Sequence, residues 1–397
     1  SGARRLNGRL KQISGMILPA GIDLYTPWVP SERNPSDGAS SVHGVRQHGG
    51  DKYWKRQPLP ARVASVTSTA PAPATRSSEI PWLQDMLASG CAREYRAPGT
   101  PAEELPDVVI HLCSGEFWES SVCAQVLALA SEQGRSIISA AVDPCNATGA
   151  DVLARECWEG ILALHAARRL RSIGGGPPCS TWSRLRHRPL AGGRGPRPLR
   201  SRADPFTCLP NRNKTEQASC NTGTLIMLRC LYSFGLALCS GIHVWMEHPE
   251  DPGGDYPSVW ATAIVARLRE LGMKLASFDQ CQFGGTARKP TMVLTNDSSL
   301  FADLHTRRCC GGHSHARTTG LKSDGQGFFS TSHAKYQSPL CSVLARRIMS
   351  WEQGFSSCPI AGLQTWSREW AKFDLSIEHS AAAGPLRIYS DSTGFQQ

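Results

Sequence analysis

The sequence predicts an α/β fold, Rossmann-like, built on a mostly parallel sheet. Three observations carry that reading: short apolar runs alternate with stretches of helical period, turn residues or an acid close those runs, and the residues with chemistry to offer stand where the runs end. Parallel strands need a crossover between them, so regular alternation of strand and helix is the pattern such a sheet requires.

The elements follow in order. Residues 55–106 are rich in Pro, Ala, Ser, Thr and Arg, with Pro71-Ala72-Pro73 at their centre and no sustained period, so they read as a linker. Val108 to Leu112 is a short apolar run broken by Cys113-Ser114-Gly115, the pattern of a buried strand and its turn. Val122, Val126, Leu129 and Ala130 recur at helical spacing, and Gly134 stands in the place of a C-terminal cap. Ile137 to Val142 form the next strand, ending at Asp143. A helix carrying Ile161, Leu164 and Leu170 precedes Ser172-Ile173-Gly174, and a helix from Thr224 to Ser240 precedes Ile242 to Met246. Ser258 begins a helix with Ile264, Leu268 and Leu271, closed by Gly272, ahead of strands at Lys274–Phe278 and Thr291–Thr295. In such sheets ligands bind beyond the carboxyl ends of the strands, and Gly115, Asp143, Cys179 and Glu247 all fall there.

The 397 residues allow one large domain with appended segments, or two domains. With 40% hydrophobic and 19% charged residues the chain is neither disordered nor fibrous by composition. A net charge of +10 points to an anionic partner such as nucleic acid, or to a solvated basic surface. Fifteen cysteines, with no C-x-x-C pair and no signal peptide, read as reduced intracellular thiols rather than a disulfide framework. The longest apolar stretch, Leu231–Met246, is interrupted by Ser233, Ser240 and His243 and is short of the ~20 residues a membrane span needs. Ser1 at the start and no terminating element before Gln397 read as a fragment of a longer chain.

The chemistry concentrates in Gly175-Gly176-Pro177-Pro178-Cys179-Ser180-Thr181-Trp182-Ser183. Two prolines fix the backbone ahead of a cysteine at a strand end, which holds a thiol in a defined position, and a neighbouring positive charge would favour the attacking thiolate. Seven arginines follow within 19 residues, at Arg184, Arg186, Arg188, Arg194, Arg197, Arg200 and Arg202, among glycines and prolines. This is the composition of a mobile phosphate-contacting loop, or of a solvated basic one. Cys309-Cys310-Gly311-Gly312-His313-Ser314-His315 offers soft ligands suited to zinc, although adjacent cysteines seldom chelate together. No metal is assigned on this basis, and Cys309, Cys310, His313 and His315 are kept as the zinc candidates.

From 107 to 350 the chain resembles the cytosine-5 DNA methyltransferases, whose catalytic loop carries Gly-Pro-Pro-Cys followed four residues later by Ser. The resemblance implies a sheet of the S-adenosylmethionine-dependent methyltransferase type, with flexible extensions at both ends. Leu112-Cys113-Ser114-Gly115 is similar to the family's first cofactor loop, Asp143 to the acid that holds the cofactor ribose, and Asp151 to the residue that reads the adenine amine. Cys113, Ser114, Gly115, Asp143, Asp151 and Pro177 are therefore the expected S-adenosylmethionine contacts. Met246-Glu247-His248-Pro249 stands where the family has Glu-Asn-Val, and Arg288 falls near its base-contacting arginine, which makes Cys179, Glu247 and Arg288 the expected catalytic set. Tyr336 to Ile348 resembles the closing cofactor motif. The implied activity is methylation of carbon 5 of a flipped cytosine through a covalent cysteine adduct, on DNA or, by the same chemistry, RNA, in an intracellular and nuclear setting with no membrane. Three departures stand out. Glu116-Phe117 replaces a second glycine, His248 replaces an asparagine, and the stretch between Pro290 and Tyr336 is too short for a large target-recognition domain. The rival reading is a degenerate methyltransferase fold that binds nucleic acid without chemistry.

Trp28 to Ser40 resembles the end of the ribonuclease H domain of retrotransposon polyproteins, with Asp37 matching a metal-binding carboxylate. The other carboxylates are absent upstream, so this piece cannot catalyse alone. Residues 1–54 are thus expected to be a remnant of such a domain, and 351–397 an unassigned extension.

Overall fold

A computed structural model describes residues 80–188, 195–320, 328–352 and Trp366, all within one compact unit, Thr75–Gln397. The ribonuclease H-like stretch with Asp37, the linker up to residue 79 and Arg194 lie outside the described residues.

Helix α1 (Pro81–Ala88) and strand β1 (Ala92–Tyr95) come first. Both fall in the stretch read as linker. Trp82, Leu83 and Met86 are buried, and β1 pairs antiparallel with β3 (Ile137–Val142), so the folded unit begins well before 107. Strand β2 (Asp107–Leu112) leads through α2 (Val122–Gln133) into β3. Ser121 caps α2 by accepting from the Ala124 N–H, and Gly134 ends it at φ 60, as its position in the sequence predicts. Helix α3 (Arg155–Ala166) stops before Leu170, because Arg168 takes the left-handed conformation, and Leu170 opens β4 (Leu170–Gly175) instead of closing the helix.

Helix α4 (Lys214–Cys239) starts ten residues ahead of its expected Thr224. A capping box explains this: the Asn213 side chain accepts from the Glu216 N–H, and the Glu216 side chain accepts from the Asn213 N–H. Among the described helices only α4 is long and apolar enough to cross a membrane, and most of it is buried inside the fold. Then come β5 (His243–Pro249), α5 (Ala263–Glu270), β6 (Lys274–Asp279), β7 (Pro290–Thr295), α6 (Ser298–Leu304) and α7 (Ser338–Ser350).

The seven strands of the described residues form one mixed sheet in the order β1-β3-β2-β4-β5-β7-β6. β3, β2, β4 and β5 are parallel neighbours, while β7 lies antiparallel between β5 and β6. Among the described residues, seven α-helices complete an α/β unit compatible with a Rossmann-like fold. Along β2, Val108, Ile110 and Leu112 pack into one core with residues of α1, α3 and α4, and Val109 into a second core with residues of α2, α6 and α7. Period-two burial on both faces is what a sheet covered on both sides produces. Trp366, in the stretch read as an extension, is buried and donates from Nε1 to the Tyr232 carbonyl 3.2 Å away on α4. The chain leaves β2 toward β3 on one side and returns to β4 on the other, so a crevice opens at the carboxyl ends of β2 and β4.

Candidate active site

The end of β4 passes close to its neighbours, and glycine makes that approach possible. A Cβ on Gly175 would stand 2.0 Å from the Leu112 carbonyl oxygen, and one on Gly176 would stand 2.3 Å from the Tyr336 hydroxyl. Pro177-Pro178 then carry the chain to Cys179, whose carbonyl accepts from the Trp182 N–H at 3.0 Å and closes a turn. Cys179 is half-buried and lines a cavity of about 640 Å³, together with Arg184, Arg188, His248, Arg288 and Lys289. Burial pushes its thiol pKa up, Lys289 pulls it down, and Glu247 pushes it up again.

Glu247 sits near the carboxyl end of β5 with 6% of its surface exposed. Its Oε1 accepts from Gln280 Nε2 at 3.2 Å and lies 3.4 Å from Lys289 Nζ, and its Oε2 accepts from the Tyr336 hydroxyl at 3.2 Å. Burial, followed by the Glu247 charge, holds the Tyr336 pKa well above the ordinary phenol value, so Tyr336 stays a donor. The Tyr336 ring stacks on buried His111, with centroids 5.9 Å apart, and burial pulls the His111 pKa down to about 4. Three residues from separate segments after β5 thus converge on one carboxylate. Gln280 and Lys289 carry no motif of their own, and only the antiparallel pairing of β7 beside β5 brings them to Glu247.

The opposite side of the crevice is built from the turns after β2 and β3. The Gly115 N–H donates to Asp143 Oδ2 at 3.0 Å and the Cys145 N–H to Asp143 Oδ1 at 3.1 Å. Asn146, which sequence reasoning passed over, braces the same loop: its Nδ2 donates to the Gly115 carbonyl, and its Oδ1 accepts from the Phe117 N–H, each at 2.9 Å. Gly115 has φ 67 and open space around a Cβ position, so backbone conformation, not crowding, calls for glycine. Cys113 is also left-handed, and a hydrogen bond with Cys230, then burial, raises its thiol pKa well above the usual range. Ser114 Oγ donates to the Gly115 carbonyl, Asp151 Oδ1 accepts from the Leu153 N–H, and Pro177 is buried beneath. Asp143 is half-buried, and each of its oxygens retains accepting capacity beyond one backbone N–H, so this side fits a ribose diol.

No family model matches the chain, and no curated protein does.

The arginine segment is not one surface. Arg200 is fully buried and therefore cannot meet phosphate. Its guanidinium donates to Thr181, Thr224 and the carbonyls of Pro205, Phe206 and Cys220, and it stacks 3.7 Å over the Trp182 ring. Burial pulls its pKa down to about 10, still high enough to keep its charge. Arg186 donates to the Ser180 carbonyl, Arg197 pairs with Glu216, and Arg202 pairs with Asp251. Arg184 and Arg188 are exposed on the cavity rim. His248 lies edge-on to Trp182 and Trp260, and burial pulls its pKa down to about 3. Arg200, Trp182 and His248 therefore brace the Cys179 turn. Arg288 is exposed, with Nε 3.3 Å from the buried Asp279 carboxylate. Among the zinc candidates, Cys310 is exposed and stands outside the group, while Cys281 joins Cys309, His313 and His315.

Proposed function

We propose that this chain methylates carbon 5 of cytosine in DNA, with Cys179 as nucleophile, S-adenosylmethionine as cofactor and a sheet of the methyltransferase type. The observation that supports it best is the pairing of Cys179, on a glycine-and-proline turn at the end of β4, with a buried, triply contacted Glu247 on the adjacent strand, beside a cavity large enough for a base. A cytosine inside a duplex cannot reach such a cavity, so the base must be flipped out.

Cys179 attacks carbon 6 as a thiolate. Burial holds the free thiol protonated, and Lys289, the cation that lowers its pKa, favours proton loss as the base arrives. Glu247 shares a proton with ring nitrogen 3, and Tyr336 and Gln280 fix the orientation of its carboxyl. S-adenosylmethionine, held by Cys113, Ser114, Gly115, Asp143, Asp151 and Pro177, supplies an electrophilic methyl group. Arg288 bounds the cavity beside Lys289, and exposed Arg184 and Arg188 meet the phosphates that flank the base. A DNA acceptor implies an intracellular, nuclear site of action.

The rival, a nucleic-acid-binding module without chemistry, draws support from the raised Cys179 thiol and from Asp143 already accepting two backbone N–H groups. DNA containing 5-fluorocytosine separates the two, because fluorine blocks the proton loss that frees the cysteine. With S-adenosylmethionine present, the wild-type chain should form a complex that survives denaturation and Cys179→Ser should form none. Equally little trapping by both selects the binding module, and trapping only on fluorinated RNA moves the acceptor to RNA.

A further inference from the structure

We propose that Cys281, Cys309, His313 and His315 hold a structural zinc ion. Their four ligand atoms lie within 4.8 Å of one another. Cys309 Sγ is 3.3 Å from His315 Nε2 and 3.9 Å from His313 Nε2. With Zn–S near 2.3 Å and Zn–N near 2.0 Å, the sulfur-to-nitrogen edge of a tetrahedral site is about 3.5 Å, between those two distances. Two thiolates and two imidazoles close the coordination sphere and leave no position for substrate, which is the character of a structural site.

The ligands come from two places. Cys281 lies in the turn Gln280–Phe283 that follows β6, and the other three lie in the loop after α6. That loop has little of the apolar burial that would hold it down: from Thr306 to Arg317 no residue is buried and no helix or strand forms. What ties it to β6 and the segment beyond is polar: the Thr306 N–H donates to the Ser277 carbonyl, the Asp279 N–H to the Arg307 carbonyl, the Cys309 N–H to the Asp279 carboxylate and the Ala316 N–H to the Thr286 carbonyl, and Arg308 pairs with Glu250. A metal crosslink supplies what the missing core does not. Gly311, at φ 80, turns the chain so that its N–H donates to Cys309 Sγ at 3.3 Å, a contact that favours a thiolate ligand. The same turn carries Cys310 outward, which resolves the difficulty of two adjacent cysteines on one ion.

The site joins the candidate active site at both ends. Cys281 follows Gln280, the donor to Glu247, and the loop continues into Thr318, Thr319 and Gly320 on the cavity wall. Zinc would therefore brace one wall of the cavity without entering it, and the proposal stands whether or not the chain is a methyltransferase.

The full chain, purified without chelator, should carry about one zinc per molecule by elemental analysis. Cobalt added to chelator-stripped protein should give the visible bands of a tetrahedral site with thiolate ligands. Cys309→Ser and His315→Ala should lose the metal, and Cys310→Ser should keep it. Should the ligand variants fail to fold, the wild type decides: iodoacetamide should label Cys310 at once and Cys309 only after chelation. Four results overturn the proposal: a folded wild type that takes up neither zinc nor cobalt, equal metal loss in Cys310→Ser and Cys309→Ser, labelling of Cys309 unaffected by chelator, or a Cys281–Cys309 disulfide in its place.

Discussion

The two sides of the crevice hold irregular backbone beyond a strand end by different means. On the β2–β3 side, Asp143 and Asn146 tie down Gly115, Phe117 and Cys145 through short hydrogen bonds within a single βαβ unit. On the β4–β5 side the turn at Cys179 is held from farther along the chain, by Arg200 stacked on its Trp182 and by Gln280, Lys289 and Tyr336 around Glu247. The first arrangement can form as soon as two strands pair. The second is complete only when segments separated by more than 80 residues, such as Glu247 and Tyr336, have docked. A site assembled late and from many segments is more sensitive to any one of them, because each lost contact leaves buried polar groups unpaired.

That sensitivity should be largest at Arg200. Replacing it with Met removes the donors to four buried groups and to the part-buried Phe206 carbonyl, at about 1–3 kcal/mol for each left unsatisfied, so a loss on the order of 3 kcal/mol or more is expected in denaturant unfolding. Arg197→Met, at an exposed pair, should leave the unfolding midpoint nearly where it was. Equal midpoints for the two variants would erase the contrast between a buried and an exposed arginine.

A smaller effect is expected on the β2–β3 side. Asp143→Ala should weaken S-adenosylmethionine binding by roughly ten- to a hundredfold in calorimetry, the worth of hydrogen bonds to a charged group, while the fluorocytosine trap still forms at saturating cofactor. Heat that is unchanged by the substitution would remove Asp143 from the proposed cofactor site.

The smallest effect belongs to the rim. Each phosphate contact contributes about one unit to the salt dependence of binding, so Arg184→Ala with Arg188→Ala should lower that slope by about two and leave base preference unchanged. If the slope stays put, the Arg184–Arg188 rim meets no phosphate.

The two sides also differ in how far they can be read from sequence. Apolar period and turn chemistry act over a few residues, so most of the strands and helices from β2 to β7, and the placing of Gly115, Asp143, Cys179 and Glu247 at or beyond strand ends, were legible from residue order alone. What an arginine or a cysteine does there was not, since Arg184 and Arg200 look alike in a basic run until one is exposed and the other buried under a tryptophan. Tertiary structure alone brought Lys289 and Gln280 to Glu247, exchanged Cys310 for Cys281 beside the two histidines, and drew α1, β1 and Trp366 into a core from stretches that read as linker and extension. The physical reason is range: propensity and capping are settled between near neighbours, whereas burial and the partner of a charge depend on which distant segments the closed sheet sets side by side.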